Sequence, residues 1–384
     1  MRPVTFSEEV GLCAGLISKN CLREHCGRCM EVCPMMSRFG DDPGSLMERY
    51  FTEPDPALAY SCLTCGLCET VCPKQFPLPW LFTEARKDFV KANGGKSPMP
   101  GHRSTRFHQT FGFSAPFTAK AGSSKEGKTR TFLAGCSLSS SAPEEVGKTL
   151  EWLNAQLPGM SAVQKCCGLP TKNMGQEELF QKRITSLEDD FRALGTEEVI
   201  TACQNCKKVL TENLMLPVRS LWEVLPEIGI PEECRGKAKD SDVVFTIHDS
   251  CSARYDTAIH DGIRWLMEEL GYKVREAEAS REKTLCCGAG GMVNDGNPEV
   301  AKAAVKRRLE TLPSDHIVVY CGTCRSMLAT GGGKVWHILD LLYGPVVTSE
   351  SLPPENVLGS TPKAWKNRYD CIRVVEAALN KDSK

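Results

Sequence analysis

The sequence has no run of roughly 18 uninterrupted apolar residues, so nothing in it reads as a membrane-spanning helix. Its opening, Met1-Arg2-Pro3-Val4-Thr5-Phe6-Ser7-Glu8-Glu9, lacks the apolar stretch of a secretory signal. There is no surplus of positive charge either: 47 Lys and Arg face 48 Asp and Glu, which argues against nucleic-acid binding. Convincing nucleotide motifs are missing. Gly288-Ala289-Gly290-Gly291 lacks the third glycine of a dinucleotide fingerprint, and Gly331-Gly332-Gly333-Lys334 lacks the upstream glycine of a phosphate loop. These absences predict a cytoplasmic, soluble protein with reduced thiols. It would reach a membrane only through a partner and rely on other chains for any flavin or nicotinamide.

Cysteine is what the sequence has in excess, with 21 in 384 residues. In a chain of this length without a secretory signal, that abundance points to metal ligation rather than a disulfide framework. Two runs open the chain: Cys21-x4-Cys26-x2-Cys29-x3-Cys33-Pro34 and Cys62-x2-Cys65-x2-Cys68-x3-Cys72-Pro73. The second matches the bacterial two-cluster ferredoxin spacing, in which three close thiolates wrap one cubane and the Cys before Pro reaches the other. By that logic Cys62, Cys65, Cys68 and Cys33 hold one [4Fe-4S] cubane, and Cys21, Cys26, Cys29 and Cys72 hold a second. Structural zinc is the alternative, but four-ligand zinc sites leave the triplet plus Cys-Pro without a use. Cys21 stands two positions further out than the pattern asks, with Cys13 a conceivable substitute.

Around these runs the local signals are helical. Ser7 can cap a helix over Phe6 to Lys19, Pro43-Gly44, Pro54 and Pro56 suit two short helices, and Trp80 to Val90 closes the module. Residues 94–129 are rich in Gly, Ser, Pro and Lys and read as a linker.

From Arg130 the texture becomes α/β and repeats. Cys136, Cys166-Cys167-Gly168 and Cys203-x2-Cys206 are separated by 29 and 35 residues, and Cys251, Cys286-Cys287-Gly288 and Cys321-x2-Cys324 by 34 and 33. Adjacent cysteines suit a shared multi-iron centre better than a mutual disulfide. Thr131 to Ala134, Val199-Ile200, Val243 to Ile247 and Ile317 to Tyr320 read as strands that run toward Cys136, Cys203, Cys251 and Cys321. Helical spacing recurs over Val146 to Leu157, Phe180 to Leu194 and Ile259 to Leu270. Ligands of open α/β sheets sit beyond the carboxyl ends of strands, where these cysteines fall. Gly168 and Gly288 are suited to positive φ beside a crowded centre. Five sulfurs also contain the four ligands zinc would need, so zinc stays open for one site. Lys165, Lys207, Lys208 and Arg325 beside the ligands could offset cluster charge or be solvated surface. His248-Asp249 could orient a ligand or be structural. A tail helix over Tyr369 to Leu379 follows Pro353-Pro354.

At these ten cysteines the sequence resembles the CCG-domain proteins. These are the heterodisulfide reductase catalytic subunits and their relatives, including iron–sulfur subunits of glycolate, lactate and anaerobic glycerol-3-phosphate dehydrogenases. The resemblance implies two noncubane [4Fe-4S] centres that face one another. Cys136, Cys166, Cys167, Cys203 and Cys206 would hold one, and Cys251, Cys286, Cys287, Cys321 and Cys324 the other.

The reading that results is α+β and α/β. A mostly helical two-cluster ferredoxin module (1–93) and a linker (94–129) precede two duplicated small α/β CCG domains (130–240 and 241–345) and a tail (346–384). The expected function is an iron–sulfur oxidoreductase subunit that passes electrons from ferredoxin-type clusters to noncubane clusters, which reduce or form a small disulfide. The alternative is a pure relay between a flavoprotein dehydrogenase and a quinone-linked or soluble acceptor. Expected partners are a flavoprotein, a quinone-linked membrane protein, and a small disulfide or thiol substrate.

Overall fold

The N-terminal helices are started by short polar residues and by proline. Asp42 and Asp55 cap helices Pro43–Thr52 and Pro56–Tyr60 by accepting the Ser45 and Ala57 N–H groups at 2.7 and 2.8 Å, with proline in each first turn. The computed structural model describes residues 3–40, 42–122, 129–157, 159–357 and 361–380. Helix Glu8–Glu24 begins after Ser7 and runs past Lys19, which puts Cys21 in its C-terminal part. Helix Leu78–Ala92 buries Leu81, Phe82, Ala85 and Phe89 along one face.

The strands expected beside Cys136, Cys203, Cys251 and Cys321 are all present. In the first repeat β1 (Ala119–Gly122), β2 (Arg130–Leu133), β3 (Met160–Gln164), β4 (Glu198–Thr201) and β5 (Val218–Ser220) form a sheet of order β1-β3-β2-β4-β5. Only β1 is antiparallel, and it comes from the stretch read as a linker, which also contains helix His102–Gly112. Residues 123–128 of that stretch lie outside the described residues. In the second repeat β6 (Val244–His248), β7 (Lys273–Val274), β8 (His316–Val319) and β9 (Lys334–His337) are all parallel in the order β7-β6-β8-β9. That order matches β3-β2-β4-β5, so the duplication seen in the cysteines extends to topology.

The chain divides into two compact units that do not follow sequence order. A helical unit takes residues 1–107, 170–181 and 282–310, and a sheet unit takes 108–169, 182–281 and 311–384. Each repeat thus lends the stretch near or after its cysteine doublet to the helical unit. Within the sheet unit both sheets share one core, in which Phe132, Ile200, Trp222, Phe245, Val318 and Trp336 are buried together. Helices Leu221–Ile228 and Thr257–Leu270 approach so closely that a Cβ at Gly262 would lie 1.8 Å from the Trp222 carbonyl oxygen. The tail helix, Pro362–Asn380, lies against helices Cys136–Ser141 and Pro143–Gln156 of the first repeat.

Candidate metal centres

In the helical unit the eight thiols of the two N-terminal runs form two groups. Cys21 is influenced by Cys72 and Cys26, and Cys29 by Cys21, Cys33, Cys72 and Cys26, whereas Cys68 is influenced by Cys65, Cys62 and Cys33. The grouping is crossed: Cys72 acts on the first run, and Cys33, which acts on Cys29 of its own run, also acts on the second. The second group lines a cavity with Cys33, Cys62, Cys65 and Cys68 in its wall. Burial pushes the Cys62 thiol up to about 12, because desolvation disfavours the thiolate. Cys13 has no thiol among the groups acting on it; burial alone raises its pKa.

In the sheet unit the first five-thiol set converges completely. Cys136 lies beside Cys166, Cys166 beside Cys167, Cys167 beside Cys206, and Cys206 beside Cys203. Gly135 has φ +89°, and a Cβ there would meet Cys203 Cβ at 2.8 Å and the Cys203 and Cys206 sulfurs at 3.6 Å. Gly168, at φ +83°, donates its N–H to Cys166 Sγ at 3.4 Å. The neighbouring thiols of Cys166 and Cys206 hold the Cys167 pKa below the usual thiol range. Cys166, Cys167 and Cys206 are buried and Cys136 and Cys203 half-buried, so one side of the set faces outward. Five thiols on a glycine cradle fit a multi-iron centre, and four of them would also satisfy zinc.

Sequence reasoning missed the surroundings of this set. Cys166 Sγ donates to Gln109 Oε1 at 3.6 Å, and buried Arg368 of the tail helix acts on Cys136. Both lie far from the cysteines in sequence, and neither carries a motif. The tail helix therefore helps to build the first site.

The second set is distributed differently. Cys251 and Cys321 follow strands of the sheet unit, Cys321 at the N-cap position of helix Gly322–Thr330 and Cys324 in its first turn, while Cys286-Cys287 belongs to the helical unit. There Gly288, at φ +88°, donates to Cys286 Sγ at 3.4 Å, just as Gly168 does to Cys166. Cys286 also lines the cavity of the Cys33, Cys62, Cys65 and Cys68 group. The glycines that follow are packing residues: a Cβ at Gly290 would lie 1.9 Å from Leu63 O, and one at Gly291 2.1 Å from Cys62 O. That accounts for a glycine cluster without a nucleotide.

Within the sheet unit the loop that carries Cys136 and the loop that carries Cys321 and Cys324 are neighbours. Ser137, next to Cys136, and Thr323, between Cys321 and Cys324, hydrogen-bond through their hydroxyls at 2.9 Å. A Cβ at Gly322 would lie 3.2 Å from Ser137 Cβ.

The cations adjacent to the ligands in sequence serve carboxylates. Lys165 pairs with Asp190 and donates to Ser186 O at 3.0 Å; Lys207 pairs with Asp256 and with Glu223 at 2.7 Å. Lys208 reaches Glu212 at 4.0 Å, and Arg325 reaches Asp340 at 3.6 Å. Asp249 is structural. It is fully buried, and Arg264 Nη1 and Nη2 hold its two oxygens at 2.8 Å each. Burial alone would raise its pKa, but Arg264 holds it below the usual carboxylate range.

Thiols arranged in this way define an iron–sulfur protein with a dicluster module and a duplicated five-cysteine module. Residues 21–77 match the family described as 4Fe-4S dicluster domain, and residues 130–211 and 245–329 match the family described as cysteine-rich domain. The chain is thus an iron–sulfur protein that joins one dicluster domain to two cysteine-rich domains. It is similar to an uncharacterized iron–sulfur protein of Methanococcus maripaludis, with 27% identity over 78% of this chain and 65% of that one. One component of the CoM/CoB fumarate reductase of Methanothermobacter marburgensis is 26% identical over 83% of this chain and 70% of its own length. One component of the dihydromethanophenazine:CoB–CoM heterodisulfide reductase of Methanosarcina acetivorans is 24% identical over 80% of this chain and 87% of its own. No helix among the described residues is long and apolar enough to cross a membrane. The chain carries the iron–sulfur domains of a redox protein.

Proposed function

We propose that the chain carries two cubane and two noncubane [4Fe-4S] centres and reduces, or forms, a small organic disulfide at the paired five-thiol sites. Cys21, Cys26, Cys29 and Cys72, and Cys33, Cys62, Cys65 and Cys68, would hold the cubanes, and the two five-thiol sets the others. Each centre when bound supplies one electron at a time, so two adjacent centres match the two electrons of an S–S bond. The observation that carries this reading is the hydroxyl contact at 2.9 Å between Ser137 and Thr323, which makes neighbours of the two loops that present the five-thiol sets. Half-buried Cys136, Cys203 and Cys251 leave an approach for a substrate, and the buried thiols anchor each set. Cys286 on the wall of the cubane cavity offers a short route from the dicluster module to the second set. A flavoprotein or quinone-linked partner would supply the electrons.

The test is donor oxidation under strict anaerobiosis, with a low-potential artificial donor and a range of small disulfides. Turnover with at least one disulfide is expected, lost in both Cys167→Ala and Cys287→Ala and retained in Cys371→Ala. Oxidation only by quinone analogues or a partner flavoprotein, with every disulfide inert, moves the assignment to electron relay.

A further inference from the structure

Arg86 is a fully buried cation in helix Leu78–Ala92. Its Nε donates to Ala59 O at 3.0 Å, Nη1 to Asn173 O and Gly291 O at 2.8 and 3.0 Å, and Nη2 to Ala59 O and Cys62 O at 2.8 and 2.7 Å. All five N–H groups are satisfied, every acceptor is a backbone carbonyl, and none is a carboxylate. The fork joins all three segments of the helical unit. A buried charge without a counter-charge is strongly unfavourable, and the groups acting on Arg86 are the Cys62 thiol and the phenols of Tyr60 and Tyr50. Of these only the thiol becomes anionic on binding a metal. A second guanidinium, Arg307 of helix Pro298–Glu310, lines the same cavity and acts on Cys33.

The Cys33, Cys62, Cys65 and Cys68 group has one carboxylate, Glu69, acting on Cys68 beside the two guanidinium groups, whereas the other thiol group meets carboxylates at Cys21. Cys21 is influenced by the carboxylates of Asp42 and Glu24, the latter 3.3 Å from Lys74. Adding one electron to a centre adds one negative charge, which a nearby cation favours and a nearby carboxylate opposes. Burial of Cys62 and Cys68 works against the added charge, yet the same low dielectric strengthens the attraction of a guanidinium bonded to the Cys62 carbonyl.

We propose that Arg86 and Arg307 are the counter-charges of the centre at Cys33, Cys62, Cys65 and Cys68, and that they make it the higher-potential member of the dicluster pair. Electrons entering the module then collect beside Cys286. This rests on the cubane assignment made above, and both residues act as positioning charges rather than as ligands.

The experiment is a potentiometric titration of the anaerobically prepared full chain followed by electron paramagnetic resonance, with Cys26→Ala and Cys65→Ala identifying which signal belongs to which group. The Cys65-dependent signal is expected at the higher potential. It should shift downward in Arg307→Gln, at a half-buried position, and in Arg86→Gln, while Arg86→Lys stays near the parent and the Cys26-dependent signal does not move. Two cubane signals with the Cys65-dependent one lower, or unmoved in Arg307→Gln, would overturn the proposal while leaving the ligand assignment intact. Absence of one cubane signal from the parent protein would overturn the assignment and the proposal together.

Discussion

The two cysteine-rich repeats share a strand order and five thiols, yet they hold the loop before their first cysteine in different ways. In the first, Ala134-Gly135 precedes Cys136 and Ala202 precedes Cys203, small residues of which Gly135, lacking a side chain, lets the backbone approach the sulfurs directly. In the second, Asp249-Ser250 precedes Cys251 and Tyr320 precedes Cys321. There the Tyr320 hydroxyl donates to Asp249 Oδ1 at 3.2 Å and accepts from Ser250 N at 2.9 Å. One loop is shaped by steric room and the other by a buried polar lock. What both keep is instructive: the cation after the last cysteine, Lys207 or Arg325, reaches the acid of the next helix's capping box, Glu223 or Asp340. A charge that looks like cluster tuning by sequence adjacency is thus part of the scaffold in both repeats.

The largest effect that separates the repeats is expected from Gly135→Ala. Both the φ of +89° and the 2.8 Å approach to Cys203 Cβ forbid a side chain, so the first five-thiol centre should be lost and iron should fall by about four per chain. Elemental analysis checks this; an unchanged iron content would mean the cradle is not needed. Next comes Asp249→Ala, which leaves Arg264 without its buried partner and should destabilise the protein by roughly 3–5 kcal/mol in denaturant titration. Because the folded carboxyl titrates below its usual range, its stabilisation is present above the unfolded pKa of about 4 and is lost as pH falls further.

The smallest effect concerns the capping boxes, Ser220 in one repeat and His337 in the other. Burial brings His337 down to about 3 and raises Asp340 to about 6. A depressed histidine costs stability as pH falls below its unfolded value, whereas a raised carboxyl gains stability as pH falls through its folded value. Between about pH 4 and 6 the two oppose each other. His337→Ser, which copies the first repeat, should leave Asp340 alone and make stability rise on acidification through about pH 6, as thermal unfolding at several pH values would show.

The sequence made the candidate ligands legible because ferredoxin spacing and the repeated doublets mark them, and it made the strands legible because each apolar run stops at or just before a cysteine. It concealed β3, whose Met160-Ser161-Ala162-Val163-Gln164 alternates too weakly to read as a strand, and β1, which lies in a polar stretch and gains its partner only in the folded sheet. Arg86 was invisible for a physical reason: on a helix that reads as amphipathic, one cation is indistinguishable from solvated surface until its four carbonyl acceptors are assembled from distant segments.

The measurement that bears most directly on the assignment of all four thiol groups is the iron and zinc content of anaerobically prepared protein. Four centres of four irons predict about sixteen irons per chain and no stoichiometric zinc. About eight irons with one or two zinc ions would confine redox chemistry to the dicluster module, make the five-thiol sets structural, and contradict the account.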